Sequence, residues 1–434
     1  MTTVTINALT KTEKIVCQLF LLALFCVSFS TALTNVFVGL SYIGFVVAVG
    51  SSPALRAVLR ASTRLLLPGL LALALLALYL IGSSWSIAPH ADIATALKKY
   101  SRLLILPMGM ALAWRDPTLP RRALQYCLAG IAVLVVSIYL TSLGLMPTSS
   151  LGWWRVSTDR QDAFVFRNHI TIGILLGFGA NAALLFATYA STARQRIAAG
   201  AAALVTALPI MFLSQGRTGF VVLMIGLVSI FFLRVRLTTG RVAAGIAVLV
   251  LLFGGLYLVS PNVTTRTDAM VHEIAHNEER TPNGLRVSFI KVGLATFAQH
   301  PLIGVGTGGF AEVYAPTARR IWPEGNEFTN ARYQPHSEFM NTAVQLGSLG
   351  LLVYFAMLWT VLRPALGARS LDRDMLTLLW LIYVITSAFN SLLWDTTEAH
   401  WFLLLASCLA VGVMRQHAAA ALPARGAAPA GAHA

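Results

Sequence analysis

Apolar residues in this chain come in long blocks rather than in alternation, and the blocks recur from end to end. Twelve are long enough to cross roughly 30 Å of hydrocarbon as helices. They lie near 15–33, 35–50, 64–84, 97–114, 122–146, 169–190, 197–213, 217–233, 242–259, 337–362, 375–394 and 399–414. The first follows a basic flank with no small-residue cleavage site, which predicts an uncleaved span. The longest polar interval, 261–335, contains NGLRVSFIKVGLATFAQHPLIG, in which Leu285, Phe289, Val292, Leu294 and Phe297 recur at helical spacing. With the glycine-rich GVGTGGF after it, this interval predicts a small helical cap on one membrane face. The run AAAALPARGAAPAGAHA, from Ala418, has too little apolar surface to order itself. The expected organisation is an all-α polytopic membrane protein: nine helices over 1–260, a cap over 261–335, three more spans within 336–417, and a disordered tail over 418–434.

Composition agrees, since 57% of the 434 residues are apolar and 11% are charged. The net charge of +15 would suit nucleic acid if the basic residues formed one block. They stand in twos and threes between apolar runs, which is a topology signal, and no nucleic-acid partner is expected. With the N-terminus on the cytoplasmic side, every inner loop is basic, from Lys11 and Lys14 through Arg56, Arg60 and Arg64 to Arg363, Arg369 and Arg373. Both termini are therefore expected inside. Cys17, Cys26, Cys127 and Cys408 all fall within apolar runs and read as small buried hydrophobes.

Cations on the outer side need another reason. Lys98, Lys99 and Arg102 head the fourth block, Arg155, Arg160 and Arg167 precede the sixth, and Arg217 occupies a short turn. In FLSQGRTGFVV, Arg217 follows Gly216 at the head of a helix, where free backbone N–H groups and a guanidinium together suit a phosphate. Snorkelling to lipid headgroups is the plainer alternative. Arg102, one turn from Lys98 and Lys99, suggests a bound phosphate or diphosphate, or attraction to anionic lipid.

In YQPHSEFMNTAVQLG, Pro335 predicts a helix start with His336 in its first turn. There the helix dipole would keep the imidazole neutral and able to accept a proton; a hydrogen-bonded interfacial histidine is the plainer reading. Ser337, Asn341 and Gln345 form a polar stripe that implies a wet cavity or a protein contact. Glu338 is a candidate to orient His336 or to act as an alternative base, although it points about 200° around the helix from it. The sequence has no phosphate-binding loop, metal constellation or paired catalytic carboxylates, so neither metal nor cofactor is expected. The chemistry would then draw on a preactivated substrate.

These residues resemble the O-antigen ligase and polymerase superfamily. FAQHPLIGVGTGGF is similar to the family's HPlxGxGxgxF pattern, and PHSEFMNTAVQLGSLG to its HNxxLxxxxxxG pattern, with Ser337 in place of the asparagine. SQGRTGF is similar to SxSRxg, with Gly216 in place of the second serine. The resemblance implies an inverting glycosyltransferase like those of the C type, working without ATP or metal in the bacterial inner membrane with its site facing the periplasm. It would move an undecaprenyl-diphosphate-linked glycan onto lipid A–core. It also implies His336 as general base, and Arg217 with Arg286 as a clamp on the diphosphate, aided by Arg102, Arg160, Arg167 or Lys99. Arg286 enters because NGLRVSF resembles the family's arginine at the start of the cap helix. The single, late outer segment favours the ligase branch. The arginine-bearing 147–168 loop keeps a polymerase open, and a protein O-oligosaccharyltransferase would use the same donor. A lipid-linked glycan transporter is the reading from another class; it would place ionisable residues at the midplane, whereas here they gather at the outer ends.

Overall fold

The computed structural model describes residues 8–61, 66–147, 149–151, 154–157, 162–214, 216–234, 238–275, 282–323 and 334–420. The N-terminal half runs through α1 (Lys11–Cys26), α2 (Thr31–Ser51), α3 (Pro53–Ala61), α4 (Leu67–Gly82), α5 (His90–Tyr100), α6 (Ile105–Arg115) and α7 (Leu119–Ser142). A short antiparallel hairpin follows, β1 (Ser149–Leu151) with β2 (Trp154–Val156); the apolar-block pattern does not predict it. Then come α8 (His169–Tyr189), α9 (Ala193–Leu208), α10 (Arg217–Arg234), α11 (Thr239–Val259), α12 (Pro261–Ala275), α13 (Pro282–Gln299) and α14 (Phe310–Ile321). The last three are α15 (Glu338–Leu362), α16 (Leu371–Ser387) and α17 (Thr396–Ala420).

Every one of the twelve apolar blocks contains a helix, but the count of twelve crossings is not reached. Among the described residues, seven helices are long and apolar enough to cross singly: α2, α7, α8, α9 with the π-helical turn after it, α10, α15 and α17. The first, third and eleventh blocks form helices of 16, 16 and 17 residues, short of the about 20 that the hydrocarbon demands. The ninth block is α11. The fourth is broken: α5 ends at Tyr100, a 3-10 turn covers Ser101–Leu104, and α6 continues for 11 residues. The C-terminal alanine run is helical through Ala420, past the expected start of the tail; residues 421–434 lie outside those described.

α17 is the central helix, buried along nearly its whole length, with Trp401, Phe402, Leu403, Leu404 and Leu405 all fully enclosed. α8 packs on α10 where Gly173 meets Gly219, an approach so close that a Cβ on Gly173 would strike the Gly219 backbone. α2 lies at the rim and exposes Val36, Ile43, Val46 and Val47, as a lipid-facing helix does. All four cysteines are free and buried.

Polar contacts between helix ends fall into two groups. At one end Glu13 joins Arg115 (2.9 Å) and Ser52 (3.1 Å), and Arg415 donates to the Trp114 carbonyl (2.6 Å). All of these lie in loops or helix ends read as inner. At the other end Arg102 reaches the carbonyl of Trp394, and the Thr307 N–H donates to Gly82.

The interval read as one cap folds as three helices, α12 to α14. Phe289 and Val292 of α13 bury against Tyr314 of α14 and Val344 of α15, so the cap shares a small core with a spanning helix. Leu294, grouped with that face by spacing, is exposed instead.

Candidate active site

Two sequence motifs that lie apart in the chain meet at a break in α15. Gly347 there has φ 64° and ψ −159°, outside the helical region, and the break frees backbone groups on either side of it. Val305 and Gly306 donate to the carbonyls of Val344 and Gln345 (2.9 and 3.0 Å), while Ser348 and Leu349 donate to those of Pro301 and Leu302 (2.8 and 3.2 Å). The PLIGVGTGG loop is thereby seated on the first turns of α15. The Gly308 N–H adds a bond to Gln345 Oε1 (2.7 Å).

His336 does not stand in the first turn of α15. Ser337 is the N-cap, its hydroxyl accepting from the Met340 N–H (3.4 Å), and His336 precedes it in a left-handed conformation with φ 45°. A β-carbon in that region costs roughly 1–2 kcal/mol, so the fold holds the ring there against a local preference. The imidazole lies 5.6 Å from the Phe289 ring of α13. Burial, and after it the charge of Arg286, push its pKa below the ordinary histidine value. The shift toward the neutral imidazole therefore comes from desolvation and a neighbouring cation rather than from membership of the helix's first turn.

Arg217 opens α10 and donates to both carboxylate oxygens of Glu273 on α12, at 3.1 and 3.0 Å. Arg286, near the start of α13, has its guanidinium pKa lowered by burial and then by the charge of Arg217. Arg217, Arg286 and His336 therefore form a chain of electrostatic neighbours on three elements. Of the carboxylates near them the sequence drew attention only to Glu338; Glu273 was missed, because nothing local marks an acid inside VHEIAHNEER as the partner of an arginine 56 positions earlier.

The other candidates are engaged elsewhere. Arg102 donates to the Trp394 carbonyl (3.2 Å) and the Thr396 hydroxyl (2.7 Å), and the Lys99 ammonium sits 4.0 Å from the centre of the Trp394 ring. Glu338 is fully buried, and one of its carboxylate oxygens accepts the backbone N–H groups of Leu393 and Trp394 (2.9 and 3.2 Å). These three residues brace the turn between α16 and α17 from opposite sides. Arg167 bonds to Thr31 and to the Val27 carbonyl (2.9 Å), tying the turn between α1 and α2; burial pushes its pKa down to about 10. Arg160 lies outside the described residues. His400 accepts the plain reading, its Nδ1 lying 2.6 Å from the Thr396 carbonyl.

Two cavities flank the cluster. An apolar groove of about 700 Å³ runs along α10 from Arg217 toward Leu233, walled by Phe220, Met224 and Phe232 of α10, Val263 of α12, and Leu381 and Ile385 of α16. At 1.5 Å per residue its length along the helix is about 24 Å. A second cavity, of about 500 Å³, is lined by Asp92, Gln334, His336, Asn341, Gln345 and Trp394 among others. Asn341 and Gln345, the polar stripe of the sequence, face this cavity and are tied to each other (2.8 Å) and to the Tyr100 hydroxyl (2.8 and 3.3 Å).

The fold is thus a helical bundle with several helices able to span a membrane and a helical cap, in which Arg217 lines an apolar groove and His336 a polar cavity. A family model described as O-Antigen ligase matches residues 201–355 of this chain. That segment carries Arg217, Glu273, Arg286, His336 and Glu338, together with both motifs that meet at Gly347, and over it the chain is similar to enzymes of the O-antigen ligase type. A comparison with curated proteins finds no match.

Proposed function

We propose that this protein is an O-antigen ligase, which transfers a glycan from undecaprenyl diphosphate to lipid A–core at the periplasmic face of the bacterial inner membrane, with both termini cytoplasmic. The observation that carries this reading is that Arg217 lines the apolar groove and His336 the polar cavity, with Arg286 an electrostatic neighbour of both. A polyprenyl tail fits the groove, and its diphosphate then reaches Arg217 and Arg286, exchanging with Glu273. The acceptor sugar enters from the cavity on the far side of His336.

In the proposed reaction neutral His336 takes the proton of the acceptor hydroxyl as its oxygen bonds to the anomeric carbon. The bond from that carbon to the diphosphate oxygen breaks in the same displacement, so configuration inverts. The undecaprenyl diphosphate leaves with the bonding electron pair, and the two guanidiniums stabilise its growing charge. The glycosyl diphosphate is already activated and supplies the driving force. In this reading Lys99, Arg102 and Glu338 hold the turn that bears Trp394, and Arg167 braces the scaffold.

The test is transfer in vitro, with purified protein, undecaprenyl-diphosphate glycan and lipid A–core. His336→Ala and Arg217→Ala are each expected to lose about 10²–10³-fold in rate while keeping their thermal unfolding transition. A wild-type protein that instead lengthens the lipid-linked glycan is a polymerase, and one that moves the intact donor between leaflets is a transporter.

A further inference from the structure

The polar cavity beside His336 has a charge character of its own. Among the described residues, Asp92 is the one acid that lines it, and no arginine or lysine does. Arg286 of the cap neighbours His336 and Arg217 neighbours Arg286, while Lys99 stands over the ring of Trp394. Asp92 sits in the first turn of α5 and has no hydrogen bond or ion pair to its carboxylate among the described residues. Gln334 also lines the cavity, and its side-chain oxygen is buried without a partner, a lone acceptor that a ligand's donor would satisfy. Trp394 adds an aromatic surface whose backbone is clamped by Glu338 and Arg102 and whose ring is covered by Lys99. Phe310 also lines the cavity. The volume, about 500 Å³, lies within the range of small-molecule sites.

We propose that this cavity is a subsite for an uncharged or amino-bearing pyranose, and that Asp92 selects against acceptor sugars carrying a carboxylate or phosphate. The inference rests on the reading above that the acceptor enters at His336. A pyranose presents a C–H face that packs on an indole and hydroxyl donors at its rim, which Asp92 and the Gln334 oxygen accept. An anionic substituent would meet the Asp92 carboxylate with no arginine or lysine among the described lining residues to offset it, and such like-charge juxtaposition is how sites reject near-identical ligands. The clamp on the Trp394 backbone makes Glu338 a positioning residue for this subsite.

The experiment uses the full-length protein with one donor and three synthetic glycolipid acceptors, ending in glucose, glucosamine or glucuronic acid. Wild type is expected to use the first two at least about tenfold better than the third, and Asp92→Asn, which removes no contact within the fold, to narrow that ratio several-fold. A second arm records saturation-transfer NMR with methyl glucoside and methyl glucuronide. The glucoside signal is expected in wild type and weakened in Trp394→Ala, recorded below that variant's own unfolding temperature because the ring also packs on Tyr100. Equal use of the glucuronide acceptor, or a ratio that Asp92→Asn leaves unmoved, overturns the selectivity. If no acceptor receives glycan but the glucoside still binds through Trp394, the sugar subsite stands and the transferase reading falls. If neither transfer nor binding is seen, the subsite falls with it.

Discussion

His336 shows what a single position adds beyond its residue type. Proline placed it in a helix, whereas Ser337, a far better N-cap residue, begins the helix one step later and leaves His336 in a left-handed turn beside Arg286. Weighing N-cap preference above the proline would have found this from sequence. In the proposed reaction His336 must be neutral to accept a proton, so activity is expected to fall as pH drops through its folded pKa. That pKa is held below the ordinary 6.5 by burial and by Arg286, which puts the acid limb of kcat/KM below 6.5. Arg286→Gln removes the cationic part of the shift, so the limb is expected to move toward higher pH as well as the rate falling. A pH–rate profile of both proteins checks this; a limb that stays in place would mean that Arg286 does not act on the base.

At the scale of elements, the twelve apolar blocks are all helical, yet their ends and breaks were not legible. A glycine in an apolar run reads as a tolerated helix residue, and nothing near Gly347 announces that a loop more than forty residues upstream will pair with its exposed backbone. The conformation there belongs to glycine, and a Cβ would collide with the backbone of Leu302. Gly347→Ala is therefore expected to cost at least about 1–3 kcal/mol, seen as a lower unfolding temperature together with loss of transfer. Gly39→Ala on α2 is the control, because no atom lies within 4 Å of the added carbon and alanine favours the helix. The broken fourth block has a comparable cause: its turn carries Arg102, whose bonds go to residues of the α16–α17 turn.

Across the whole molecule the cap and the spanning helices share one site, since α12 both walls the groove with Val263 and Thr267 and carries Glu273 on Arg217. In the proposed reaction Glu273 and the donor diphosphate compete for the same guanidinium. Glu273→Gln is expected to lower the KM for donor about two- to fivefold, the worth of a partly exposed ion pair, with little change in kcat. A KM that rises instead would show Glu273 supporting the site. The sequence by itself determined where the apolar blocks lie and how the basic residues are shared out between them, because hydropathy and charge act as averages over contiguous segments. Only the tertiary structure decided which outer cations lie together at the groove and which are consumed as braces. A guanidinium's role depends on the acceptor within about 3 Å of it, and for Arg217 and Arg102 those acceptors come from 56 and 292 residues further along the chain.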